Sequence, residues 1–241
     1  MSTDIATLGL LPENAKVYAD RIDLAIDHHP SFEHFGKANI VRSEAAACGE
    51  LMYSILSELG SITAEIALPL YVAISTDTGG FIFGNTTADT HAVAAALMRT
   101  GIDYHTVNKV FFRTKTRKRM QLEGAMMNKA EFYDNNRVAV LSVPMSLMER
   151  IQATESDAED LSNLGAQIEG VDCAITMREL RPDVWKRSVR TGSRINATNV
   201  CRILGGGGHA AAAGCTVNAP WEESKQAILK AVAEIAPDFV L

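Results

Sequence analysis

The sequence predicts an α/β fold in two domains. Short apolar runs of strand length alternate with longer stretches of helical periodicity. The pattern changes character near Asn135 and Asn136. The length, 241 residues, fits one large or two small domains at ~100–200 residues each. With 47% hydrophobic and 22% charged residues, the chain can build a core, which excludes wholesale disorder. No uninterrupted apolar run approaches the ~18 residues of a membrane helix. A net charge of −6 excludes a globally basic nucleic-acid coat, though not a local basic patch.

The elements follow in order. Residues 21–29, RIDLAIDHH, read as a short buried strand with a polar end. Residues 44–59 read as a helix, with Ala47, Leu51, Ile55 and Leu59 at four-residue spacing and Gly60 to stop it. Residues 63–74 read as a second apolar helix with Pro69 as a kink. A polar, glycine-containing loop, STDTGGFIFGNTT, comes next. A helix from about Asp89 to Thr100 closes on Gly101. Residues 103–133 read as largely helical, with bases at Arg113, Lys115, Arg117, Lys118 and Arg119. This long basic helix is expected to join the two halves. Its cluster reads as a solvated helix face more readily than as a nucleic-acid track.

Beyond the boundary, 137–143 reads as a strand and 156–168 as helical. Two strands, 171–179 and 184–190, flank a turn at Arg181 and Pro182. A short helix from Thr198 to Leu204 leads into GGGGHAAAAG, a strand near 214–218 and an amphipathic helix from Pro220 to Ile235. Cys48, Cys173, Cys201 and Cys215 sit among apolar or small residues without a CxxC pair, which suits buried thiols better than a disulfide scaffold. The opening MSTDIATLGLLPENAK lacks a basic segment followed by a long apolar one, so a cytoplasmic protein is expected.

Two constellations carry chemistry. Asp27, His28 and His29 end a strand, where α/β proteins place functional groups. A neutral imidazole ligates borderline divalent metals, and a neighbouring carboxylate can fix its tautomer. A polar strand end without a role is the plain alternative. Asp77 in the glycine turn and Asp4 near the chain start complete a partial set for Mn²⁺ or Mg²⁺. Alone, Asp77 reads more readily as a turn residue. The second constellation is Gly205, Gly206, Gly207, Gly208 and His209. Exposed amides there can form an anion-binding nest, and His209 can donate to a phosphate. Residues 178–202 hold seven bases, Arg178, Arg181, Lys186, Arg187, Arg190, Arg194 and Arg202, against two acids. Alternation along the strand puts Ser188 and Arg190 on one face, and arginine matches phosphate oxygens bidentately.

The ordered motifs IDHHPSF, STDTGGF, SVRT and GGGGHAAAAG resemble the DHH phosphoesterase family with its DHHA1 C-terminal domain. The resemblance points to the branch of oligoribonucleases and 3′-phosphoadenosine-5′-phosphate (pAp) phosphatases. It implies an incomplete parallel-sheet DHH domain over 1–130, followed by a smaller α/β DHHA1 domain over 131–241. It implies a Mn²⁺-dependent hydrolase (Mg²⁺ is the other option) acting by two-metal hydroxide attack on phosphorus. Asp4, His28 and Asp77 would be metal ligands, Asp27 would orient His28, and His29 would contact the scissile phosphate. Ser188, Arg190, Gly206, Gly207, Gly208 and His209 would hold the substrate's terminal phosphate or nucleotide. The implied partners are short single-stranded oligonucleotides or phosphorylated nucleotides, with no membrane, and a homodimer lies within the family's range. The family's first motif, HxxPDxDxxGS, is not found upstream of Asp4. That implies an N-terminally truncated first domain, and weak or no hydrolysis by this chain alone. A catalytically impaired nucleotide-binding fragment is the rival expectation.

Overall fold

A computed structural model describes residues 1–239, in two units, Met1–Thr114 and Lys115–Leu241. In the first unit, β1 (Ser2–Thr3), β2 (Leu24–Asp27) and β3 (Ala38–Val41) form a parallel sheet in the order β1-β2-β3. The apolar run at 24–26 supplies the middle strand, and Ala25 and Ile26 are buried. Thr3 is paired with Ile26, and the next amide, Asp4 N, donates to Ile26 O at 3.0 Å. This register brings the ends of β1 and β2 side by side.

Four helices follow the sheet. The first, α1 (Cys48–Leu59), keeps the predicted spacing and ends at Gly60. It starts later than the expected 44 because Ala47 is extended. Leu51 and Cys48 pack on Ile26. Its partner α2 (Ala64–Asp77) tolerates Pro69 in its interior and runs three residues beyond the expected end. Asp77 therefore closes a helix rather than sitting in the loop. Thr87 caps α3 (Ala88–Met98) by accepting from the Thr90 amide. Last, α4 (Tyr104–Asn108) passes into a π-helical turn over Lys109–Arg113.

The expected continuous helix over 103–133 is broken. Thr114 is extended, and Thr116 is the N-cap of a new helix, α5 (Arg117–Asn128), accepting from Arg119 N at 3.0 Å. Two β-branched threonines in three positions favour a cap over helix continuation. Leu122 and Met126 of α5 bury against residues of the second unit. The units therefore divide between Thr114 and Lys115, earlier than the expected 130/131. The basic cluster is spent locally: Lys115 and Arg119 both pair with Glu123, and Lys118 donates to Gln152 O.

The second unit is a six-stranded mixed sheet. Its strands are β4 (Glu131–Tyr133), β5 (Val138–Val143), β6 (Cys173–Arg181), β7 (Val184–Thr191), β8 (Gly207–His209) and β9 (Ala212–Asn218). Their spatial order is β4-β5-β6-β7-β9-β8, with only β5 and β6 parallel. Alternate residues of β5 feed two cores. Val138 and Val140 pack with α7 (Ala197–Ile203) and α8 (Trp221–Ile235), while Ala139 and Leu141 pack with α5 and α6 (Met145–Ile151). The glycine run, expected as an anion-binding nest, supplies β8.

The expected helix over 156–168 is instead three 3₁₀ turns, Ser156–Ala158, Leu161–Asn163 and Gly165–Gln167. Asp160 is left-handed between the first two. Gly165 lies so close to Leu141 and Ala174 that a Cβ would sit 2.7–2.8 Å from them. Sheet packing overrides helical periodicity here. All four cysteines are free and buried. No helix among the described residues is long and apolar enough to cross a membrane.

Arg187 is fully buried in the core facing α8. Its Nη2 donates to Ser224 Oγ at 2.7 Å, and Nη1 faces Cys215 Sγ at 4.0 Å. No carboxylate pairs with it among the described residues, and its Nε has no partner. The hydrogen bond from the Cys201 thiol, with the Arg187 guanidinium nearby, pulls the Cys215 thiol below its usual range against the opposing effect of burial. Truncating a hydrogen-bond partner of a buried charge costs ~1.5–3 kcal/mol. Ser224→Ala is expected to lose that much in urea unfolding. A loss under about 0.5 kcal/mol, the range of neutral surface substitutions, would show that Ser224 is not what satisfies Arg187.

Candidate functional site

The first unit gathers Asp4, His28, His29 and Asp77 at the ends of β1, β2 and α2. One donor atom from each of Asp4, His28 and His29 lies within 4.8 Å of the others. His28 Nε2 is 3.4 Å from Asp4 Oδ1 and 3.5 Å from Asp77 Oδ2. Its Nδ1 faces Ala45 O at 3.2 Å, so the ring donates there and turns Nε2 toward the carboxylates. Asp4 stands at φ 61, a left-handed backbone that places its carboxylate at the strand end.

Asp27, expected to orient His28, holds His29 instead. Its Oδ1 accepts from His29 N at 2.6 Å and from His29 Nδ1 at 2.7 Å. The reason is local: β2 ends at Asp27, and the chain turns so that the Asp27 side chain accepts from the backbone and ring of the residue two positions on. Asp27 is fully buried, and its Oδ2 has no hydrogen-bond partner.

The electrostatics follow from this crowding. The hydrogen bond from His28 holds the Asp4 carboxyl below its ordinary range. Burial and the Asp4 charge push Asp77 up. The hydrogen bond to Asp4, reinforced by Ala45 O and by the charges of Asp4 and Asp77, raises His28 to about 9. Burial, with Asp4 and Asp27 nearby, pushes the Cys48 thiol up to about 12. Crowded carboxylates, an imidazole presenting Nε2 and an orphaned buried carboxylate oxygen make a donor set that fits a divalent cation.

In the second unit, Ser188 is opposite Gly214, which is opposite Gly207. In the next row, Arg190 is opposite Ala212, which is opposite His209. Residues paired across antiparallel strands share a face. Ser188, Arg190, Gly207 and His209 therefore lie on one face, over a floor of glycine and alanine. His209 is exposed. Gly206 and Gly208 point the other way. A Cβ on Gly206 would meet Gly214 O at 2.2 Å, and one on Gly208 would meet Ala212 O at 2.6 Å. These two glycines permit close strand packing, since a side chain at either would meet the backbone of β9. Arg190 is tied down locally, Nε donating to Asn163 Oδ1 at 2.8 Å and Nη2 to Ser162 Oγ at 2.9 Å. Sequence reasoning misses Ser162 and Asn163 because it buries them in a predicted helix; the Ser-Asn pair before Leu-Gly is the turn signal.

Residues 135–237 match the family model described as the DHHA1 domain. The chain is 31% identical over 212 residues to the bifunctional oligoribonuclease and PAP phosphatase NrnA of Thermus thermophilus. Over 135–237 the chain is similar to the DHHA1 family, and over most of its length to this relative. The match covers 87% of this chain and 63% of that relative. The NrnA protein of Bacillus subtilis is 26% identical, over 83% of this chain and 64% of the relative. The chain thus spans under two thirds of the length of these relatives. A crystal structure of an exopolyphosphatase-related protein from Bacteroides fragilis shares the fold, with a TM-score of 0.87 at 23% identity, over 97% of this chain and 70% of that one.

The titration of His28 has a definite sign. Its folded value is raised, so the stability from the His28–Asp4 pair is fully present below the ordinary histidine value of ~6.5. It is lost as pH rises through about 9. In chelator-treated protein, NMR titration is expected to find His28 protonated well above neutrality, and Asp4→Asn is expected to bring it back toward the ordinary value. An unchanged His28 titration in Asp4→Asn would rule out Asp4 as the cause.

Proposed function

We propose that the chain is a metal-dependent phosphoesterase acting on short oligoribonucleotides or on pAp, with Mn²⁺ as the metal and Mg²⁺ as the other option. The convergence of Asp4, His28 and His29 donor atoms within 4.8 Å, with Asp77 alongside, carries the reading. The names of the NrnA relatives support the substrate class. The cytoplasm is the proposed compartment, in keeping with four free cysteines.

Asp4, His28 and Asp77 would hold the cation. A bound divalent cation would supply Lewis-acid stabilisation of the phosphoryl oxygens and a water of lowered pKa. The chain's own residues do the rest. Ala45 O holds the His28 ring so that Nε2 is presented without rotation. Asp27 accepts from His29 Nδ1 and fixes that imidazole. The His29 ring so held would face a phosphoryl oxygen through Nε2 as negative charge grows there. The Ser188–Arg190–His209 face would take a terminal phosphate.

These donors suffice for one cation, so turnover by this chain is expected to be slow, while cation binding is not. The test is Mn²⁺-dependent release of mononucleotide from a 5′-phosphorylated diribonucleotide by the 241-residue chain, beside Mn²⁺ binding by calorimetry. His28→Ala is expected to abolish both, and Asp27→Ala to cost about 10–100-fold in activity or metal affinity. Fast turnover would refute the one-cation account, and Mn²⁺ binding unaffected by His28→Ala would refute the site. A second reading, a nucleotide binder without chemistry, draws on the Ser188, Arg190 and His209 rows of the second unit. pAp binding that survives EDTA and His28→Ala, but not Arg190→Ala, would favour it.

A further inference from the structure

The turn after Asp77 is closed by its own hydrogen bonds, Gly80 N donating to Ser75 O at 2.7 Å and Phe83 N to Thr78 O at 3.0 Å, but these tie it only to α2 and to itself. Gly79, Gly80 and Phe81 stand at φ 58, 72 and 67, so three consecutive residues leave the helical region. Asp77 is the last residue of α2, and a terminal helix carbonyl has no partner within its own helix. Asn85, eight residues on, supplies one. Its Nδ2 donates to Asp77 O at 3.2 Å and also to Ala46 O at 3.0 Å.

That second bond matters because of what Ala46 adjoins. The preceding carbonyl, Ala45 O, is the one that faces His28 Nδ1 at 3.2 Å. A closed circuit results. It runs from His28 to the 45–46 backbone, through the Asn85 amide to the Asp77 backbone, and from the Asp77 carboxylate back to His28 Nε2 at 3.5 Å. Asp77 and His28 lie on different elements, α2 and the end of β2. The Asn85 amide is the side-chain clip that joins the two backbones.

We propose that Asn85 is a positioning residue that sets the Asp77–His28 separation and thereby the affinity of the cluster for a divalent cation. It touches neither cation nor substrate; it acts through the backbones that carry the ligands. This rests on the reading of Asp4, His28 and Asp77 as cation ligands. Side chains that orient ligands from behind typically contribute about 10–100-fold in metal affinity.

The experiment measures Mn²⁺ binding by calorimetry and hydrogen–deuterium exchange on the full chain. Asn85→Ala and Asn85→Leu both remove the donor, the second at similar volume. Asn39→Ala is the matched control. Asn39 also makes two side-chain hydrogen bonds in the first unit, accepting from Gly36 N and donating to Gly36 O, and contacts no proposed ligand. The expected result is a Mn²⁺ dissociation constant raised about 10–100-fold in both Asn85 variants and close to wild type in Asn39→Ala. Exchange at Gly79, Gly80 and Phe83 is expected to quicken only in the Asn85 variants. Wild-type affinity in both Asn85 variants, or an equal loss in Asn39→Ala, overturns the proposal. If the wild-type chain binds no Mn²⁺, the cation-site reading fails separately. Exchange at 79–83 then decides the clip, with no change in Asn85→Ala overturning it.

Discussion

The parallel register of β1 against β2 is the constraint on which the candidate centre depends. Thr3 opposite Ile26 puts Asp4 beside Asp27, and the two residues after Asp27 are the histidines. A parallel pair ends both strands on the same side, which an antiparallel pair cannot do. A slip of one residue would turn Ile26 out of the core and take Asp4 out of line with the end of β2. The buried Ile26, packed on Cys48 and Leu51, is therefore what fixes the chemistry's geometry. The wholly buried Asp27 carboxylate adds to this, because it is tolerable only while His29 satisfies it.

The second unit solves a different problem with the same means. Its sheet is covered on both faces, so each strand must alternate between two cores. On β7 that alternation separates Arg187, drawn into one core, from Ser188 and Arg190 on the other face. A local surplus of bases in the sequence thus resolves into unlike roles. Arg187 is a buried charge held by a hydroxyl and a thiol, Arg190 is braced by Ser162 and Asn163, and Arg178 pairs with Glu155. Charge counted along the chain does not predict charge offered to a ligand.

Much of the architecture was legible. Strong periodicity located α1, α3 and α8, and apolar runs located β2, β5, β6 and β7. Part of the candidate cluster was legible too, since His28, His29 and Asp77 are polar residues after apolar runs, whereas Asp4, after Met-Ser-Thr, was reached only through the family resemblance. Three things were not. The two-residue β1 and the half-exposed β3 carry no pattern of their own and exist because β2 lies beside them. The 156–168 segment has helical spacing, but Gly165 must approach Leu141 and Ala174, and sheet contact decides. Asn85 is one polar residue in a polar loop. Its importance lies in two carbonyls, at Ala46 and Asp77, that no sequence pattern announces.

The run Gly205–Gly208 has a consequence for how this chain can vary. Gly206 and Gly208 are closed to any side chain by the backbone of β9. Gly207 faces open space at an ordinary backbone angle, so sterics leave it free to accept a larger residue. Drift among descendants of this chain should therefore be uneven within four identical letters. Alternate positions would stay frozen by strand packing. The position between them would be free to acquire a side chain beside His209, and with it a different preference among ligands.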